Sequence, residues 1–181
     1  MPQLEVNAEH TDVLILCGGK GTRLRSVVSN VPKPLAEIAG RPFLDFLIGE
    51  LKQQGFKRII LLAGYKGELL KEYAANQSAG EEMTVECLIE PIPLGTAGAI
   101  RNAADIIRSK TFLVLNGDSF CPVNFRDMIK FHQDKHALMT VLLSTSVEMN
   151  QYGNVALDQR QAVMAFSEKN NSNNTAIYVN A

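Results

Sequence analysis

A glycine-rich segment with basic side chains follows the first apolar run of this 181-residue sequence. The run at 12–17 leads into Gly18 and Gly19, and the chain continues as Lys20-Gly21-Thr22-Arg23. Glycines let backbone N–H groups approach phosphate oxygens, and the two basic side chains supply opposing charge. The segment predicts a cradle for a polyphosphate, although a glycine turn between a strand and a helix is often only a connection.

A second basic residue, Lys33, lies between Pro32 and Pro34. The two prolines restrict the backbone and favour an extended, non-helical segment around the lysine. Lys33 is therefore expected to meet a second phosphate at a small entropic cost.

Two acidic residues follow later apolar runs. Asp118 ends the sequence Asn116-Gly117-Asp118, where a carboxylate is placed to bind a hard cation such as magnesium or, equally, to cap a turn. Glu90 precedes a proline-rich turn that ends at Gly95 and Thr96. A side chain that accepts hydrogen bonds, next to a glycine that lets a ligand approach the backbone closely, predicts a binding surface for a planar nucleotide base.

Several common sites are excluded by their residue patterns. The Walker pattern is absent, and the dinucleotide pattern fails because Leu24 occupies the position of its third glycine. No acidic residue follows the second strand, which ends in Leu62-Ala63-Gly64, to bind a ribose. Cys17 has no histidine nearby and is expected to be a buried strand residue rather than a nucleophile.

The elements that must position these residues alternate between strand and helix. Buried strands are predicted at 12–17, 58–63, 84–89 and 111–115, and helices at 43–55, 67–76, 96–107 and 124–135. Such alternation indicates an α/β fold with a doubly wound, mainly parallel sheet, in which ligands bind beyond the carboxyl ends of the strands. Further strands at 138–145, 153–157, 162–167 and 175–181 are expected to extend the sheet in antiparallel fashion.

Composition limits the kinds of partner. The net charge is −1, and no basic run interleaves with aromatic residues, so no nucleic-acid partner is expected. The three cysteines lack metal-ligand spacing and indicate neither disulfides nor zinc, which favours a reducing compartment, the cytoplasm. The first apolar run is too short for a signal peptide or a membrane span, so no membrane association is expected.

The motifs in their chain order resemble those of the sugar-1-phosphate nucleotidyltransferases, over nearly the whole chain. The matching segments are Leu16 to Leu24, Pro32-Lys33-Pro34-Leu35, Gly40-Arg41-Pro42, Glu90 to Gly98 and Leu115 to Asp118. The resemblance implies a Rossmann-like fold of the nucleotide-diphospho-sugar transferase type. Within that family, the segments 93–100, 115–120 and 152–155 are most similar to the heptose 1-phosphate guanylyltransferases, while relatives that use UTP, dTTP or CTP share much of the pattern.

The resemblance assigns roles to individual residues. It implies that the nucleotide is bound by Cys17, Gly18, Gly19, Lys20, Gly21, Thr22, Arg23, Glu90, Gly95 and Thr96. It implies a sugar-phosphate site made of Asn116, Gly153, Glu168 and Lys169. Arg23, Lys33 and Asp118 would be the catalytic residues, with Asp118 holding Mg²⁺.

The implied reaction is attack by a sugar 1-phosphate on the α-phosphorus of a nucleoside triphosphate, without a covalent enzyme intermediate. GTP and D-glycero-D-manno-heptose 1-phosphate are the favoured substrates, for the synthesis of a surface glycan. The implied organisation is one nucleotidyltransferase domain over 1–181: a flexible segment at 1–10, a nucleotide-binding core at about 11–136 and part of a sugar-binding region at about 137–181. This organisation is compatible with a homo-oligomer.

The family pattern continues beyond Ala181 to a second metal-binding Asp that this sequence lacks. The resemblance therefore implies a metal site with one carboxylate. It leaves open a nucleotide-binding regulatory subunit with impaired catalysis.

Overall fold

Apolar runs and amphipathic segments alternate along the chain and form strands and helices in the predicted order. The computed structural model describes residues 7–19, 30–78, 82–143, 154–167 and 177–178. In chain order the strands are β1 (Asp12–Cys17), β2 (Glu37–Ile38), β3 (Arg41–Pro42), β4 (Arg58–Ala63), β5 (Thr84–Ile89), β6 (Leu113–Asn116), β7 (Asn154–Leu157), β8 (Val163–Ser167) and β9 (Ile177–Tyr178). The α-helices are α1 (Phe43–Gln53), α2 (Gly67–Gln77), α3 (Gly95–Asn102) and α4 (Phe125–Asp134). The chain divides into two compact units, Met1–Arg126 and Asp127–Ala181.

The strands of the first unit form a parallel sheet in the order β5-β4-β1-β6. The chain moves from β1 to β4 and β5 on one side and then returns to place β6 on the other side of β1. Such a reversal opens a crevice at the carboxyl ends of the two strands where it occurs, which here are β1 and β6. The predicted α/β fold class with a mainly parallel sheet is confirmed.

Burial explains why these runs form central strands. All six residues of β4 are buried, as expected for a parallel strand covered on both faces. One face forms a cluster of Leu14, Ile60, Leu62 and Ala103, against which Ala99 and Ile100 of α3 pack. Helix α1 buries Leu44, Leu47, Ile48 and Leu51, one apolar stripe at helical spacing.

Helix α3 is shorter than the sequence predicts. It ends at Asn102, and Ala104–Ile106 form a 3₁₀ turn instead of continuing the helix to 107. The Ile106 carbonyl accepts a hydrogen bond from Arg58 Nη2 at 3.0 Å. This contact from a distant strand favours the turn over another helical turn.

An ionic cluster, the Arg58 cluster, lies at the amino-terminal edge of the parallel sheet, where β1, β4 and β5 begin. Arg58 Nη1 lies 2.8 Å from Asp12 Oδ1, and Arg58 Nε lies 2.9 Å from Glu86 Oε1. Asp12 Oδ2 also accepts hydrogen bonds from the backbone N–H groups of Arg108 and Ser109. Burial raises the pKa of Asp12, but these hydrogen bonds and Arg58 outweigh burial and leave the pKa below its ordinary value.

The second unit contains a three-stranded antiparallel sheet in the order β8-β7-β9. The predicted antiparallel C-terminal strands are confirmed, but the expectation that they extend the parallel sheet is wrong for the described strands, which form a sheet of their own. The turn between β7 and β8 accounts for their local pairing, because Asp158 Oδ1 accepts hydrogen bonds from the backbone N–H groups of Arg160 and Ala162. Of the strand predicted at 138–145, the described residues 138–143 form none, and Leu138 is fully exposed. An apolar run needs a pairing partner to become a strand, and these residues pair with no described strand.

No helix among the described residues combines the length and the apolar character needed to cross a membrane. The predicted division into one domain with three segments stays a prediction.

Candidate active site

A glycine follows three of the four parallel strands, at the carboxyl edge of the sheet. These glycines are Gly18 after β1, Gly64 after β4 and Gly117 after β6. Because each of these glycines lacks a side chain, a neighbouring side chain or backbone segment occupies the space beside it. The absence of side chains at these positions shapes the crevice in which the described residues of the predicted site lie.

Gly117 brings the end of β6 against the segment that contains Lys33. Its N–H donates a hydrogen bond to the Leu16 carbonyl at 2.9 Å. A Cβ added to Gly117 would lie 2.9 Å from Cys17 Sγ and 3.1 Å from Pro34 Cγ. Only a glycine fits this contact without displacing its neighbours.

Lys33 begins a single 3₁₀ turn, Lys33–Leu35, which we call the Lys33 turn. The expectation of an extended lysine is wrong, although Pro32 before it is extended, with ψ 149°. The turn forms because Leu35 N–H donates to the Pro32 carbonyl, while Pro34 occupies a first-turn position that needs no N–H donor. Pro32 and Pro34 are buried, so the backbone at Lys33 is held on both sides.

The segment after the Lys33 turn is anchored to the helices. It forms the β2–β3 hairpin and enters α1, where Phe43 N–H donates to the Ala36 carbonyl. Tyr73 of α2 donates its hydroxyl hydrogen to Asp45 Oδ1 in the first turn of α1, at 2.7 Å. These contacts fix the path of the chain on both sides of the hairpin.

Lys33 and Asp118 form an ion pair across the crevice between β1 and β6. Lys33 Nζ lies 2.5 Å from Asp118 Oδ2, and the two side chains are 34% and 38% exposed. The Ser119 hydroxyl donates to Asp118 Oδ1 at 3.3 Å. A cation and an anion are thus held together, in partial contact with solvent, at the end of β6.

Glu90 lies over the carboxyl ends of β1 and β4. Its Oε1 would be 2.9 Å from a Cβ at Gly18 and 2.5 Å from a Cβ at Gly64, so two glycines make room for the carboxylate. Its Oε2 accepts a hydrogen bond from Leu94 N–H at 3.1 Å, just before α3. No donor among the described residues bonds Oε1.

Helix α3 begins beside Glu90 with exposed residues. Gly95 has φ +69°, and a Cβ added to it would meet nothing within 4 Å. Gly95 and Thr96 are exposed, and no side chain of the described residues caps the helix. The first N–H groups of α3 are therefore available to acceptor atoms of a ligand.

Cys17 ends β1 with its side chain buried. Burial of the thiol, together with Cys87 and Asp118 to a smaller extent, raises its pKa well above the ordinary value of 9.0. A thiol that stays protonated is a poor nucleophile. Its predicted contact with a nucleotide stays a prediction.

The structure brings together one group of the predicted residues at the carboxyl edge of the parallel sheet. These residues are Cys17, Gly18, Gly19, Lys33, Glu90, Gly95, Thr96, Asn116 and Asp118. The other predicted residues lie outside the described ones: Lys20, Gly21, Thr22, Arg23, Gly153, Glu168 and Lys169. Their predicted roles stay predictions.

Gly64 contributes to the site without having been assigned a role from the sequence, and Pro34 has a contact beyond its predicted role of restricting the backbone at Lys33. Gly64 makes room for Glu90, and Pro34 contacts Gly117. A signal for Gly64 existed, because it follows a buried strand as Gly18 and Gly117 do.

Asp118 is the described carboxylate that the sequence assigns to a metal ion. Lys33 already shows that this side chain holds a cation. No group of three or more His, Cys, Asp or Glu side chains suited to a metal occurs in the described part of the chain. This donor set fits Mg²⁺, which binds through one or two carboxylates and completes its shell with water and substrate phosphates.

Comparisons with known proteins identify the family of this chain. Residues 12–181 match the family model described as nucleotidyl transferase. The chain is 38% identical over 156 residues to D-glycero-alpha-D-manno-heptose 1-phosphate guanylyltransferase of Campylobacter jejuni, covering 86% of this chain and 67% of that protein. The enzyme of the same name from Aneurinibacillus thermoaerophilus is 39% identical over 158 residues, covering 87% and 67%.

A solved structure is also similar. HddC from Yersinia pseudotuberculosis, in a crystal structure described as complexed with GMP-PN, superposes with a TM-score of 0.75 at 33% identity. The superposition covers 93% of this chain and 72% of that one. Sequence, motif placement and fold together show that this chain belongs to the nucleotidyl transferase family, as a sugar-1-phosphate nucleotidyltransferase.

Proposed function

We propose that this protein transfers a guanylyl group from GTP to D-glycero-D-manno-heptose 1-phosphate, releasing pyrophosphate, in the cytoplasm and for the synthesis of a surface glycan. The observation that carries the proposal is the position of Glu90, whose Oε1 has no donor among the described residues and lies over Gly18 and Gly64 beside the start of α3. The relatives named as heptose 1-phosphate guanylyltransferases support the choice of both substrates.

A carboxylate at this position favours guanine among the common bases. An ionised carboxylate only accepts hydrogen bonds, and guanine presents two adjacent donors, N1–H and the 2-amino group, on one edge. Uracil and thymine offer one donor on that edge, beside carbonyl oxygens that a carboxylate repels. The exposed N–H groups at the start of α3 complement Glu90, because they can donate to acceptors of the nucleotide.

The charges around the crevice suit the reaction, which brings two anions together. Lys33 and Asp118 lie at the end of β6, beside the glycine that follows β1, where the triphosphate would lie. Asp118 would hold Mg²⁺, which when bound stabilises negative charge on the phosphate oxygens. Lys33 would neutralise charge near the α-phosphate, and rigid placement of both groups lowers the cost of reorganisation during transfer.

The remaining roles follow the resemblance. Gly21, Thr22 and Arg23 would wrap the triphosphate, with Arg23 adding a second positive charge. Asn116, Gly153, Glu168 and Lys169 would bind the sugar and its phosphate. No residue needs to act as a nucleophile, in keeping with the buried thiol of Cys17.

The direct test is a matrix of GTP, UTP, dTTP and CTP against heptose, mannose and glucose 1-phosphates, with pyrophosphate release as the measurement. The highest kcat/KM is expected for GTP with the heptose phosphate, and chelation of divalent cations should abolish release. Turnover that is higher with another base or sugar would reassign the substrates. A folded protein without turnover on any pair would overturn the proposal.

Glu90→Gln tests the base assignment. ITP carries the same ring system as GTP but lacks the 2-amino group, so the wild-type protein should prefer GTP. Glutamine at 90 keeps the size of the side chain but replaces one acceptor oxygen by a donor group. We expect the ratio of kcat/KM for GTP to that for ITP to fall by about tenfold or more, because an unmatched polar group in a base pocket costs about 1–3 kcal/mol. An unchanged ratio would contradict the assignment.

A further inference from the structure

The contact between Lys33 and Asp118 occupies the carboxylate that the proposed function assigns to the metal ion. Lys33 Nζ lies 2.5 Å from Oδ2, and the Ser119 hydroxyl bonds Oδ1. Both oxygens of Asp118 therefore already have partners within the protein. A divalent cation that binds Asp118 must displace the ammonium group, because two cations cannot share one carboxylate oxygen without strong repulsion.

The backbone around Lys33 is fixed, but its side chain is not. Pro32 and Pro34 are buried, and Pro34 lies against Gly117, so the Lys33 turn has little freedom to move. The lysine side chain has a flexible four-carbon stem and is one-third exposed. The ammonium group can leave Asp118 by rotation of the side chain alone.

We propose that Lys33 is an exchangeable counter-ion of Asp118. Its ammonium group neutralises the carboxylate while the crevice contains no nucleotide, and it transfers to the triphosphate when a metal ion binds Asp118. This inference rests on the proposed role of Asp118 as a metal ligand.

The exchange links metal binding to nucleotide binding. Without nucleotide, a metal ion meets Asp118 already paired with a cation, so its affinity for that carboxylate is low. A triphosphate offers Lys33 another anionic partner and offers the metal further oxygen ligands. The two ligands therefore bind with positive coupling, and part of that coupling passes through Lys33.

The test measures binding of Mn²⁺ alone to the full chain, without any nucleotide, by the electron paramagnetic resonance signal of free Mn²⁺. Lys33→Met removes the competing ammonium group but keeps an apolar stem of similar length. We expect this variant to bind Mn²⁺ about fivefold more tightly than the wild-type protein, which corresponds to the upper range for a partly exposed ion pair. Asp118→Asn should abolish the binding in both backgrounds.

Lys52→Met is the matched control, because Lys52 also forms a surface ion pair, 2.6 Å from Glu82, outside the crevice. It removes the same charge and should leave Mn²⁺ affinity unchanged. Melting curves of all variants establish that each is folded.

A second measurement adds a non-hydrolysable GTP analogue. The analogue should increase Mn²⁺ affinity by a larger factor in the wild-type protein than in Lys33→Met, because only the wild-type protein has an ion pair to exchange.

The outcomes separate this inference from the proposed function. If Lys33→Met binds Mn²⁺ no more tightly than wild type while Asp118→Asn loses binding, the exchange is overturned and the metal role of Asp118 stands. If Asp118→Asn binds Mn²⁺ as the wild-type protein does, the metal role and the exchange are both overturned. If Lys52→Met gains as much affinity as Lys33→Met, the effect is one of overall charge and the exchange is overturned.

Discussion

Gly117 lies where the end of β1, the end of β6 and the Lys33 turn meet. Gly117 has no side chain, so Pro34 can approach its backbone closely. A Cβ at this position would lie only 3.1 Å from Pro34 Cγ. The approach of Pro34 places Lys33 next to Asp118, although the two residues are 85 positions apart in the chain. At the scale of single residues, a glycine thus positions two charged groups.

Gly117→Ala is expected to destabilise the protein and to reduce turnover. The added methyl group would lie 2.9 Å from Cys17 Sγ and from the Leu16 carbonyl oxygen, so the core or the Lys33 turn must shift. Overpacking of this kind costs about 1–3 kcal/mol. Chemical denaturation and initial rates measure the two effects.

Gly49→Ala is the control for that change. Gly49 lies within α1, and a Cβ there meets nothing within 4 Å. Alanine should stabilise the helix by about 0.5–1 kcal/mol and leave turnover unchanged. If Gly117→Ala kept the stability and turnover of the wild-type protein, the close contact at Gly117 would not be required.

At the scale of elements, the two edges of the parallel sheet carry different groups. The carboxyl edge has Lys33, Glu90 and Asp118, partly exposed and available to ligands. The amino-terminal edge has the Arg58 cluster, in which Arg58 contacts both Asp12 of β1 and Glu86 of β5. A buried ion pair loses much stability when one partner is removed, so the cluster supports the sheet away from the chemistry.

Asp12→Asn should lower the free energy of unfolding by about 3 kcal/mol at neutral pH, because it leaves Arg58 with one buried partner fewer. In the folded protein the pKa of Asp12 is below its ordinary value of 3.8. The stabilisation by its charged carboxylate is therefore present at pH values above 3.8. The effect is lost as the pH falls through the lower folded-state pKa. Urea denaturation should give the same difference in free energy of unfolding between variant and wild type from pH 7 down to about pH 4. Between about pH 4 and pH 3 this difference should become smaller.

Glu9→Gln is the matched control, because Glu9 pairs with Lys57 at an exposed position. It removes a carboxylate from an ion pair without disturbing a buried cluster. Its unfolding midpoint should match that of the wild-type protein at neutral pH. If the loss of stability in Asp12→Asn became larger as the pH fell below 4, the assigned lowering of the Asp12 pKa would be contradicted.

At the scale of the whole molecule, the strand order β5-β4-β1-β6 concentrates the reactive groups. Motifs that are far apart in the sequence lie together because their strands are parallel neighbours that end at one edge. Among the described residues at this edge, Cys17 carries a thiol, and that thiol is buried. The buried thiol agrees with the proposed direct transfer between two bound substrates, which forms no covalent enzyme intermediate.

Isotope exchange tests direct transfer. Labelled pyrophosphate should not enter GTP when the protein, Mg²⁺ and GTP are present alone, because no guanylyl-enzyme forms to be reversed. Addition of the GDP-sugar product should start the exchange. Exchange without any sugar component would reveal a covalent intermediate and contradict the mechanism.

The sequence by itself determined the strands and most helices of the parallel sheet. Apolar runs such as 59–63, bounded by polar residues and glycine, are stable in the interior of a covered sheet. It also determined which segments follow the strands, and therefore that Glu90 and Asp118 share one edge. Local patterns suffice for these features because burial and turn formation depend on neighbouring residues.

Only the tertiary structure decided how the side chains meet. The position of Glu90 over Gly18 and Gly64, the 3₁₀ turn at Lys33 and the early end of α3 all depend on contacts between distant parts of the chain. The separate pairing of β7, β8 and β9 likewise depends on which partner an apolar strand finds. Such contacts leave no periodic signal in the sequence, because each one is set by the packing of whole elements against one another.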